Sequence, residues 1–373
     1  MSKTAIPYKV QCEVWGRAAG RCEFNGCNKP LYIHDITSDR CNIAELAHII
    51  GDSLNGPRGD KERTRRLAKD PNNIMLMCHD CHKYIDKEGL EKFPDEVLFA
   101  MKKKHEERIE RLTSMKEDMQ ANVVTYGSII GAQFPDLSYP QIQEALLPNY
   151  YPAQERCIDL GGNWPTAKEW DEYWRREIEN LEYNCKDKIF DKIDRWEHKR
   201  IALFALAPMP LLVKLGTMLN NKHEVEVYQK QRSGGWKWSQ EDINTNYIVN
   251  RPDNTTSEPV LVLSLSFHIT DRIKSIKSDS SIWELTIEKP SCDFLSSKQQ
   301  LYEFGRQVEL LLDEINKQCK GQPLQLFMSV PVACAIEFGR VWMEKANCSL
   351  CIYDYDKRYG EVDRLAITIE NKK

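Results

Sequence analysis

The chain has 373 residues, of which 41% are hydrophobic and 29% are charged, and its formal net charge at pH 7 is -4. That length exceeds the size at which one hydrophobic core usually keeps growing, so we expect two or more domains. The composition excludes a transmembrane protein, since no apolar run approaches the roughly 20 residues that cross a bilayer. Residues 1–10 lack the apolar stretch of a secretory signal, and we therefore expect a cytoplasmic protein.

Two cysteine pairs mark the first 90 residues, a segment that is otherwise rich in His, Asn and Gly. Four residues separate Cys22 from Cys27, and two residues separate Cys78 from Cys81. Each pair can place two thiolates on one tight turn, and the four together satisfy the tetrahedral shell of a structural zinc ion. Four unrelated buried cysteines are the alternative. Because the chain is long and carries no secretory signal, we expect its 13 cysteines to be thiols or metal ligands rather than disulfides.

A histidine, an asparagine and a second histidine stand between and beside these pairs. His48 lies midway between them, Asn73 leads into the second pair, and His82 follows that pair directly. This arrangement resembles the HNH endonuclease family over about seventy residues. The resemblance implies an α+β, zinc-stapled ββα-metal fold that hydrolyses phosphodiester bonds, with double-stranded DNA as the expected substrate.

The resemblance also assigns roles by position. His48 matches the general base that deprotonates water, and imidazole changes charge near neutral pH, which suits that work. Asn73 matches the residue that holds the loop of the base in place. His82 matches a ligand of Mg²⁺ or a similar divalent cation, which stabilises the charged phosphorane and the leaving oxygen.

One position departs from the family pattern. The residue before the base is commonly an Asp that binds the metal, whereas this chain has Ala47. Two carboxylates could supply the missing ligand: Glu45 lies two positions earlier, and Asp86 would share a helix face with His82. Their positions in the sequence do not favour one carboxylate over the other. Branches of the family that read Ala-His-Ile lack the Asp and remain nucleases, so the resemblance still implies activity.

Basic side chains crowd the segment 58–69, which lies between His48 and Asn73 in the sequence. This segment is a candidate strip for contacting DNA phosphates. The residues singled out for that role are Arg58, Arg63, Arg65 and Arg66, with Lys61 and Lys69 beside them. A solvated loop of mixed charge is the alternative, because Asp60 and Glu62 dilute the strip.

A charged stretch from residue 94 to about 120 has apolar residues at helical spacing and predicts one helix that leaves the nuclease domain, residues 1–120. Residues 121–152 are rich in Gly and Pro, and we interpret them as a linker. In residues 153–373 a charged helix over 169–200 precedes apolar strands that alternate with helical segments. That alternation predicts an α/β domain.

This α/β region contains a weak internal repeat. Strand, proline, helix, glycine and strand follow in the same order in residues 200–228 and 323–353. Leu, Phe, Pro and Gly recur at one constant offset between the two copies. The second strand of each copy ends on a tyrosine, Tyr228 in the first copy and Tyr353 in the second. Duplication explains this order better than coincidence does. The repeat predicts two fused Rossmann-like halves.

Three segments, residues 203–216, 232–238 and 329–339, resemble the SAVED domain, a sensor of cyclic oligonucleotides in bacterial anti-phage signalling. That domain consists of two fused Rossmann-like (CARF-like) halves, which agrees with the repeat. HNH followed by SAVED resembles the effector nuclease of cyclic-oligonucleotide-based anti-phage systems. The resemblance implies a cyclic dinucleotide activator and a homo-oligomer, dimer or tetramer, that assembles when the ligand binds and then degrades DNA.

The pocket for such a ligand needs cations, backbone N–H groups and aromatic faces. Helix N-termini favour anions, so the strand-to-helix junctions are candidates: Pro208, Met209, Pro210 and Pro331. Side chains around a Gly-Gly turn could clamp a phosphate or stack on a base, namely Arg232, Trp236 and Trp238. The alternative for the two tryptophans is packing on one strand face. Further candidates are Lys214, Lys230, Tyr228 and Tyr353.

Two other functions fit the same residues. A modification-dependent restriction enzyme would use the HNH chemistry while its C-terminal region reads altered bases. A non-enzymatic zinc ribbon that binds DNA or RNA would follow if Ala47 marks lost catalysis. We favour the ligand-activated nuclease, because an intracellular nuclease needs restraint and the first domain has no recognisable element that reads a sequence.

Overall fold

A computed structural model describes residues 4–34, 36–131, 133–161, 169–220, 222–232, 234–239, 243–319 and 321–372 of the chain. The chain divides into two compact units, Met1–Lys116 and Glu117–Lys373. Ser233, within a segment that carries the SAVED resemblance, lies outside the described residues. None of the helices in the described ranges has the length and apolar character that a bilayer span requires.

The first unit is built on an antiparallel hairpin that leads into a short helix. Its elements are α1 (Tyr8–Arg17), β1 (Ala44–His48), α2 (Arg63–Leu67), β2 (Ile74–Cys78), α3 (His79–Lys83) and α4 (Asp95–Thr113), with a 3₁₀ turn at Pro71–Asn73 and a π-helical turn at Tyr84–Glu88. The strands pair from Ala44 opposite Cys78 to His48 opposite Ile74. The order β1, β2, α3 is the ββα arrangement that the sequence predicted.

Strand β2 forms the centre of the apolar core of this unit. All of its residues are buried, and Val14 of α1 and Leu98 of α4 belong to the same core cluster. A strand buried along its whole length needs neighbours on both faces. The helix α4 that follows the nuclease motif is therefore an integral part of the unit.

The helix predicted over residues 94–120 is shorter than expected. It begins at Asp95, after Pro94, and ends at Thr113, and a 3₁₀ turn follows at Glu117–Met119. Strand β3 (Gln120–Gly127) then starts the sheet of the second unit. The change of element coincides with the boundary between the two units at Lys116 and Glu117.

The structure also corrects the linker expected at residues 121–152. This stretch contains most of β3, together with α5 (Tyr139–Leu146) and β4 (Tyr151–Pro152). Residues 121–126 are all buried. The Gly and Pro residues mark element ends, since Gly127 closes β3 and Pro140 stands in the first turn of α5, where proline is tolerated.

The second unit contains two sheets, one parallel and one mostly parallel, with helices between their strands. The first half has β3, α5, β4, β5 (Ile158–Asp159), α6 (Trp170–Cys185), β6 (Ile201–Leu206), α7 (Met209–Met218) and β7 (Val225–Tyr228). The second half has β8 (Tyr247–Asn250), β9 (Pro259–Ser264), α8 (Thr270–Ile276), β10 (Ser281–Ile287), α9 (Lys298–Cys319), β11 (Leu324–Ser329), α10 (Val332–Val341), β12 (Leu350–Tyr355) and β13 (Asp363–Ile369).

Both halves use one strand order. The first half runs β7, β6, β3, β5 and the second runs β12, β11, β9, β10, and all of these neighbours pair in parallel. Antiparallel β8 and β13 add edges to the second sheet only. Parallel strands joined by helices in this order are Rossmann-like, so the predicted α/β architecture of two fused halves is confirmed.

The two copies of the repeat carry the same internal contacts. In the first copy the Phe204 and Tyr228 rings stack with centroids 4.4 Å apart. In the second copy Phe327 and Tyr353 stack at the same distance. Each pair joins the first strand of its copy to the second, which explains why both residue types recur in the sequence.

Helices α7 and α10 cross at the glycine of each copy. A Cβ atom on Gly216 would lie 2.1 Å from the carbonyl oxygen of Ile336, and one on Gly339 would lie 2.1 Å from that of Val213. The two contacts are equivalent in the repeat. Because only glycine lets helix backbones come this close, the pair of glycines sets the packing of one half against the other.

Replacing Gly339 with alanine is expected to lower the free energy of unfolding of the second unit by about 2–3 kcal/mol, because the added methyl must displace a helix backbone. Chemical denaturation followed by tryptophan fluorescence measures the change. Gly305→Ala in α9 is the control, since its Cβ would approach only the side chain of Glu337, at 3.2 Å. Equal stability of the two variants would contradict this account of the crossing.

Candidate active site and metal centres

The four cysteines of the two predicted pairs meet in one place. The Sγ atoms of Cys22, Cys27, Cys78 and Cys81 all lie within 4.8 Å of one another, and those of Cys27 and Cys78 are 3.9 Å apart. Four sulfurs bound to zinc at about 2.3 Å would be about 3.8 Å apart. The thiols therefore fit a tetrahedral zinc ion, and the alternative of four unrelated cysteines is wrong.

Local structure explains how the thiols are presented. Cys78 ends β2 and Cys81 lies in the helix that follows. The N–H of Cys22 donates to the carbonyl of Lys29 at 2.9 Å, which closes the loop that carries Cys27. Burial raises the pKa of the Cys22 thiol to about 12. A thiolate at this position therefore needs a nearby cation, and a bound zinc ion would supply it.

His48 is the last residue of β1, and one of its ring nitrogens is fixed by the backbone. Nε2 lies 2.9 Å from the carbonyl oxygen of Ala68, just after α2. A carbonyl only accepts, so Nε2 carries the proton and Nδ1 keeps its lone pair. That tautomer leaves Nδ1 able to take a proton from water.

Asn73 is buried and ties together the segments on either side of it. Its Oδ1 accepts from the N–H of Ile50 at 2.8 Å, and its Nδ2 donates to the carbonyls of Ile50 at 3.0 Å and Leu67 at 3.2 Å. Its own carbonyl accepts from the N–H of Ile49 at 2.8 Å. These four bonds hold the residues after His48, as expected of the residue that fixes the loop of the base.

His82 contacts both carboxylates that were candidates for the missing metal ligand. Its Nδ1 bonds to Glu45, and its Nε2 lies 3.2 Å from Asp86. Glu45 lies on the same strand face as Ala47, since side chains alternate along β1. The hydrogen bond to Asp86 raises the pKa of His82, and the bond to Glu45 adds to this although burial opposes it.

His79 is a functional candidate that the sequence analysis missed. Its Nδ1 lies 2.7 Å from Oε1 of Glu45, so the carboxylate bridges His79 and His82. Burial opposes ionisation of Glu45, but the hydrogen bonds from the two histidines hold its pKa below the usual range. The signal was available, because His79 and His82 are three residues apart on one helix and therefore share a face.

A second feature that sequence reasoning missed lies in the second unit, after the carboxyl end of β12. A cavity of about 550 Å³ is lined by Glu169, Trp170, Asp171, Arg358, Tyr359, Arg364 and Leu365. The guanidinium of Arg358 lies 5.2 Å from the ring centre of Tyr173 and 5.3 Å from that of Tyr359. Its Nη1 is buried and has no partner among the described residues. The sequence signal for this cavity was Arg358, because it lies in the loop after a parallel strand, where α/β sheets bind ligands.

Comparison with known families matches both regions of the chain. A model of the HNH endonuclease matches residues 22–90. A model of SAVED, the SMODS-associated and fused to various effectors sensor domain, matches residues 184–361. The chain carries an HNH endonuclease domain and a SAVED sensor domain. The HNH match identifies the protein as a nuclease hydrolase.

Solved structures give weaker similarity. The Acinetobacter baumannii Cap4 SAVED/CARF-domain containing receptor with the cyclic trinucleotide 2'3'3'-cAAA is 13% identical, with a TM-score of 0.43 over 84% of this chain and 67% of that one. The same receptor with 3'3'3'-cAAA is 12% identical, with a TM-score of 0.41 over 84% and 68%. The Moraxella osloensis receptor is 9% identical, with a TM-score of 0.35 over 73% and 54%. No curated protein matches the chain.

His82 and its two carboxylate neighbours suit a hard divalent cation, which would bind at one nitrogen of the His82 ring or at the other. Glu45 and Asp86 offer the carboxylate oxygens that Mg²⁺ prefers, but they lie at opposite nitrogens of the ring. His82 with Glu45, or His82 with Asp86, would hold the ion. When bound, it would stabilise the charge that develops on the phosphate and the leaving oxygen.

Two of the four arginines predicted to contact DNA, Arg58 and Arg63, form ion pairs within the HNH domain. The side chain of Arg58 is only 6% exposed, and its ion pair with Asp86 measures 2.5 Å. The same guanidinium donates to the carbonyls of Ile49 at 2.7 Å and Ile85 at 3.2 Å. Arg63 pairs with Asp95 at 2.6 Å. The prediction is therefore wrong for Arg58, because its guanidinium is enclosed, and the charge of Arg63 is already neutralised.

Arg65 and Arg66 remain available for DNA. Both are exposed on α2, and no described carboxylate pairs with either. Lys61 and Lys69 are exposed on the same segment. Ala68 lies within this segment, and its carbonyl bonds to His48, so these cations lie on the segment that holds the His48 ring.

In the SAVED domain both tryptophans expected to face a ligand are in the core. Trp236 is fully buried, with its ring edge-on to Phe204 at 5.3 Å, and Trp238 is 8% exposed. Lys230 lies over the Trp236 ring at 5.4 Å. The packing alternative is therefore favoured over base stacking. Arg232 stays exposed and is 3.7 Å from Asp293.

The helix N-termini predicted to bind anions are enclosed within the domain. Pro208, Pro210 and Pro331 are buried, and Met209 is partly exposed. The N–H of Ala333 near the start of α10 donates to Oε1 of Gln229 at 3.1 Å, so that donor is already occupied.

Two further ligand candidates also have partners within the domain. The ammonium of Lys214 pairs with Glu182 at 2.6 Å. The hydroxyl of Tyr353 donates to Gln325 at 2.8 Å. Of the predicted ligand residues, Arg232 and Met209 are therefore the ones most open to a ligand.

Changing Cys78 to Ser is expected to reduce the zinc content of the purified protein from about one ion per chain to near zero and to destabilise the HNH domain, because the metal joins the two cysteine-bearing segments. Elemental analysis and a thermal melt measure the two effects. Cys12→Ser is the control, since Cys12 is exposed and outside the cluster. Full zinc content in the Cys78 variant would contradict the assignment of the site.

Proposed function

We propose that the HNH domain cleaves double-stranded DNA and that the SAVED domain activates this cleavage when it binds a cyclic dinucleotide, as the effector of an anti-phage response. The observation that carries the nuclease part is that His48, Asn73 and His82 all lie on or directly beside the hairpin and helix that carry Cys78 and Cys81, while Cys22 and Cys27 complete the cysteine cluster. The family matches support the combination of nuclease and sensor. We also propose that the protein is cytoplasmic, where such a signal would reach it.

The chemistry follows from the hydrogen bonds of the HNH site. Nδ1 of His48 takes a proton from water, and the resulting hydroxide attacks phosphorus while the bond to the leaving oxygen breaks. The Ala68 carbonyl stabilises the imidazolium that forms, because it still accepts from Nε2. Asn73 keeps this ring in place through its bonds to Ile50 and Leu67.

DNA would approach the HNH domain over α2. Arg65 and Arg66 are exposed there, and their charges are not neutralised by any described carboxylate. Phosphate contacts of this kind position the duplex without reading its sequence. This fits a nuclease that degrades DNA broadly and depends on a second domain for control.

In the SAVED domain the ligand is proposed to lie over the carboxyl ends of the parallel strands. Ligands of such sheets bind where the strand order reverses, which places the loops after β3 and β9 at the site. Ile130 and Phe267 stand in these two loops and are 46% and 62% exposed. They offer apolar faces to bases. Beyond β12, Nη1 of Arg358 offers an N–H donor, although the charge of this guanidinium is balanced by Asp356 at 2.5 Å.

Ligand binding is also proposed to join copies of the chain into a dimer or tetramer, so that two HNH domains cut both strands. The motivation is that the nuclease sequence offers no recognisable on-switch of its own, so we expect restraint to come from the SAVED domain. Assembly driven by the sensor would supply it.

His48→Ala is expected to lower plasmid cleavage by at least about a hundredfold, because the general base is lost, while zinc content and the thermal melt stay unchanged. Gel electrophoresis of plasmid incubated with protein, Mg²⁺ and each of a panel of cyclic di- and trinucleotides measures cleavage. His34→Ala serves as the control, since His34 lies in an exposed turn of the same domain. Undiminished cleavage by the His48 variant would remove this residue from the mechanism.

The same panel of cyclic nucleotides tests whether the SAVED domain activates cleavage. One cyclic oligonucleotide, a dinucleotide by our expectation, should start plasmid cleavage and raise the mass measured by light scattering to two or four chains. Activated cleavage at unchanged mass would rule out assembly as the switch. Cleavage that follows base modification and ignores every cyclic nucleotide would instead establish a modification-dependent restriction enzyme.

A further inference from the structure

Helix α4 pairs most of its lysines with acids of its own, but not Lys104. Lys102 lies 2.6 Å from Glu106, and Lys103 lies 3.7 Å from Glu107, both one turn ahead. The residue one turn after Lys104 is Arg108, a second cation. Like charges at this spacing destabilise a helix, so the exception requires an explanation.

A third cation, Arg21, shares a hydrogen-bond partner with Arg108. That partner is Asn28, which follows Cys27 in the loop. Arg21 donates to the carbonyl of Asn28 at 3.2 Å, and Arg108 donates to its side-chain Oδ1 at 2.6 Å. One asparagine therefore holds two guanidinium groups close together. Within the part of the chain that the structure describes, no carboxylate forms an ion pair with Arg21, Lys104 or Arg108.

The side chains of Lys104 and Arg108 border a small cavity. It measures about 240 Å³ and is closed by residues of the cysteine-bearing loop and of α4, among them Phe24, Asn25 and Gly26. Nε of Arg108 is buried and has no partner among the described residues. Glu23 is the one carboxylate in the lining, and it is engaged by Lys102 at 3.6 Å and by the N–H of Leu76.

We propose that Arg21, Lys104 and Arg108 form a second contact for the nucleic-acid backbone, in which they bind one or two phosphates beside the zinc loop. Two guanidinium groups and an ammonium without acids match the charge and the fork geometry of phosphate. A phosphate there would relieve the repulsion between Lys104 and Arg108 and would give Arg108 Nε an acceptor. This inference rests on the proposed cleavage of DNA and adds a binding surface to it.

The test uses the full chain with His48→Ala, so that DNA is bound and not cut. Anisotropy of a labelled 30-base-pair duplex is measured from 50 to 200 mM salt, with a mixture of cyclic di- and trinucleotides present. Lys104→Gln should weaken binding and reduce the salt slope by about one, and Arg21→Gln with Lys104→Gln should reduce it by about two. Lys103→Gln is the matched control, because the neighbouring Lys103 is already paired with Glu107.

Two results would overturn the inference. If Lys104→Gln and the double variant keep the affinity and salt slope of Lys103→Gln while the unmodified chain cuts plasmid, the second contact is absent and the proposed function stands. If the unmodified chain neither binds the duplex nor cuts plasmid, the proposed function fails and the inference falls with it. Zinc content measured on each variant shows that any lost binding does not come from an unfolded loop.

Discussion

The antiparallel register of β1 on β2 is the constraint on which the nuclease site depends. It sets Ala44 opposite Cys78 and His48 opposite Ile74, so one pairing fixes the proposed base His48, the second cysteine pair and the helix that carries His82. A slip of one residue would turn Glu45 away from His82, because side chains alternate across a strand. Register is secured by the complete burial of β2, which links the apolar core directly to the geometry of catalysis.

A different constraint governs the sensor domain, where two similar halves must pack closely without being identical. Their helices meet through Gly216 and Gly339, and the same carbonyl contact occurs on each side. Near the helix starts the copies differ, because the N–H of Ala333 finds an acceptor in Gln229 whereas the equivalent Pro210 has no N–H. The two copies thus keep the same glycine contact where α7 and α10 cross, but the starts of these helices differ in their backbone hydrogen bonds.

Some cations of the HNH domain form ion pairs within the domain, whereas others have no acidic partner among the described residues. Arg58 and Arg63 hold Asp86 and Asp95, and Lys102 reaches the buried Glu23. Among the described residues, Arg65 and Arg66 on α2 and Arg21, Lys104 and Arg108 beside the zinc loop form no ion pair with a carboxylate. This division explains how a chain with a net charge of -4 could hold a polyanion, since attraction is local and depends on which cations are unpaired.

Residue spacing indicated the zinc ligands, and internal repetition indicated the two Rossmann-like halves. The roles proposed for His48, Asn73 and His82 came from the resemblance to the HNH family. The tertiary structure decided the rest. It showed that residues 121–152 hold a buried strand and a helix instead of a linker, that Trp236 packs in the core, and that the Arg58 side chain is enclosed. Sequence gives the type of a side chain and its local period, but burial and partners depend on residues far apart in the chain, which only the folded structure brings together.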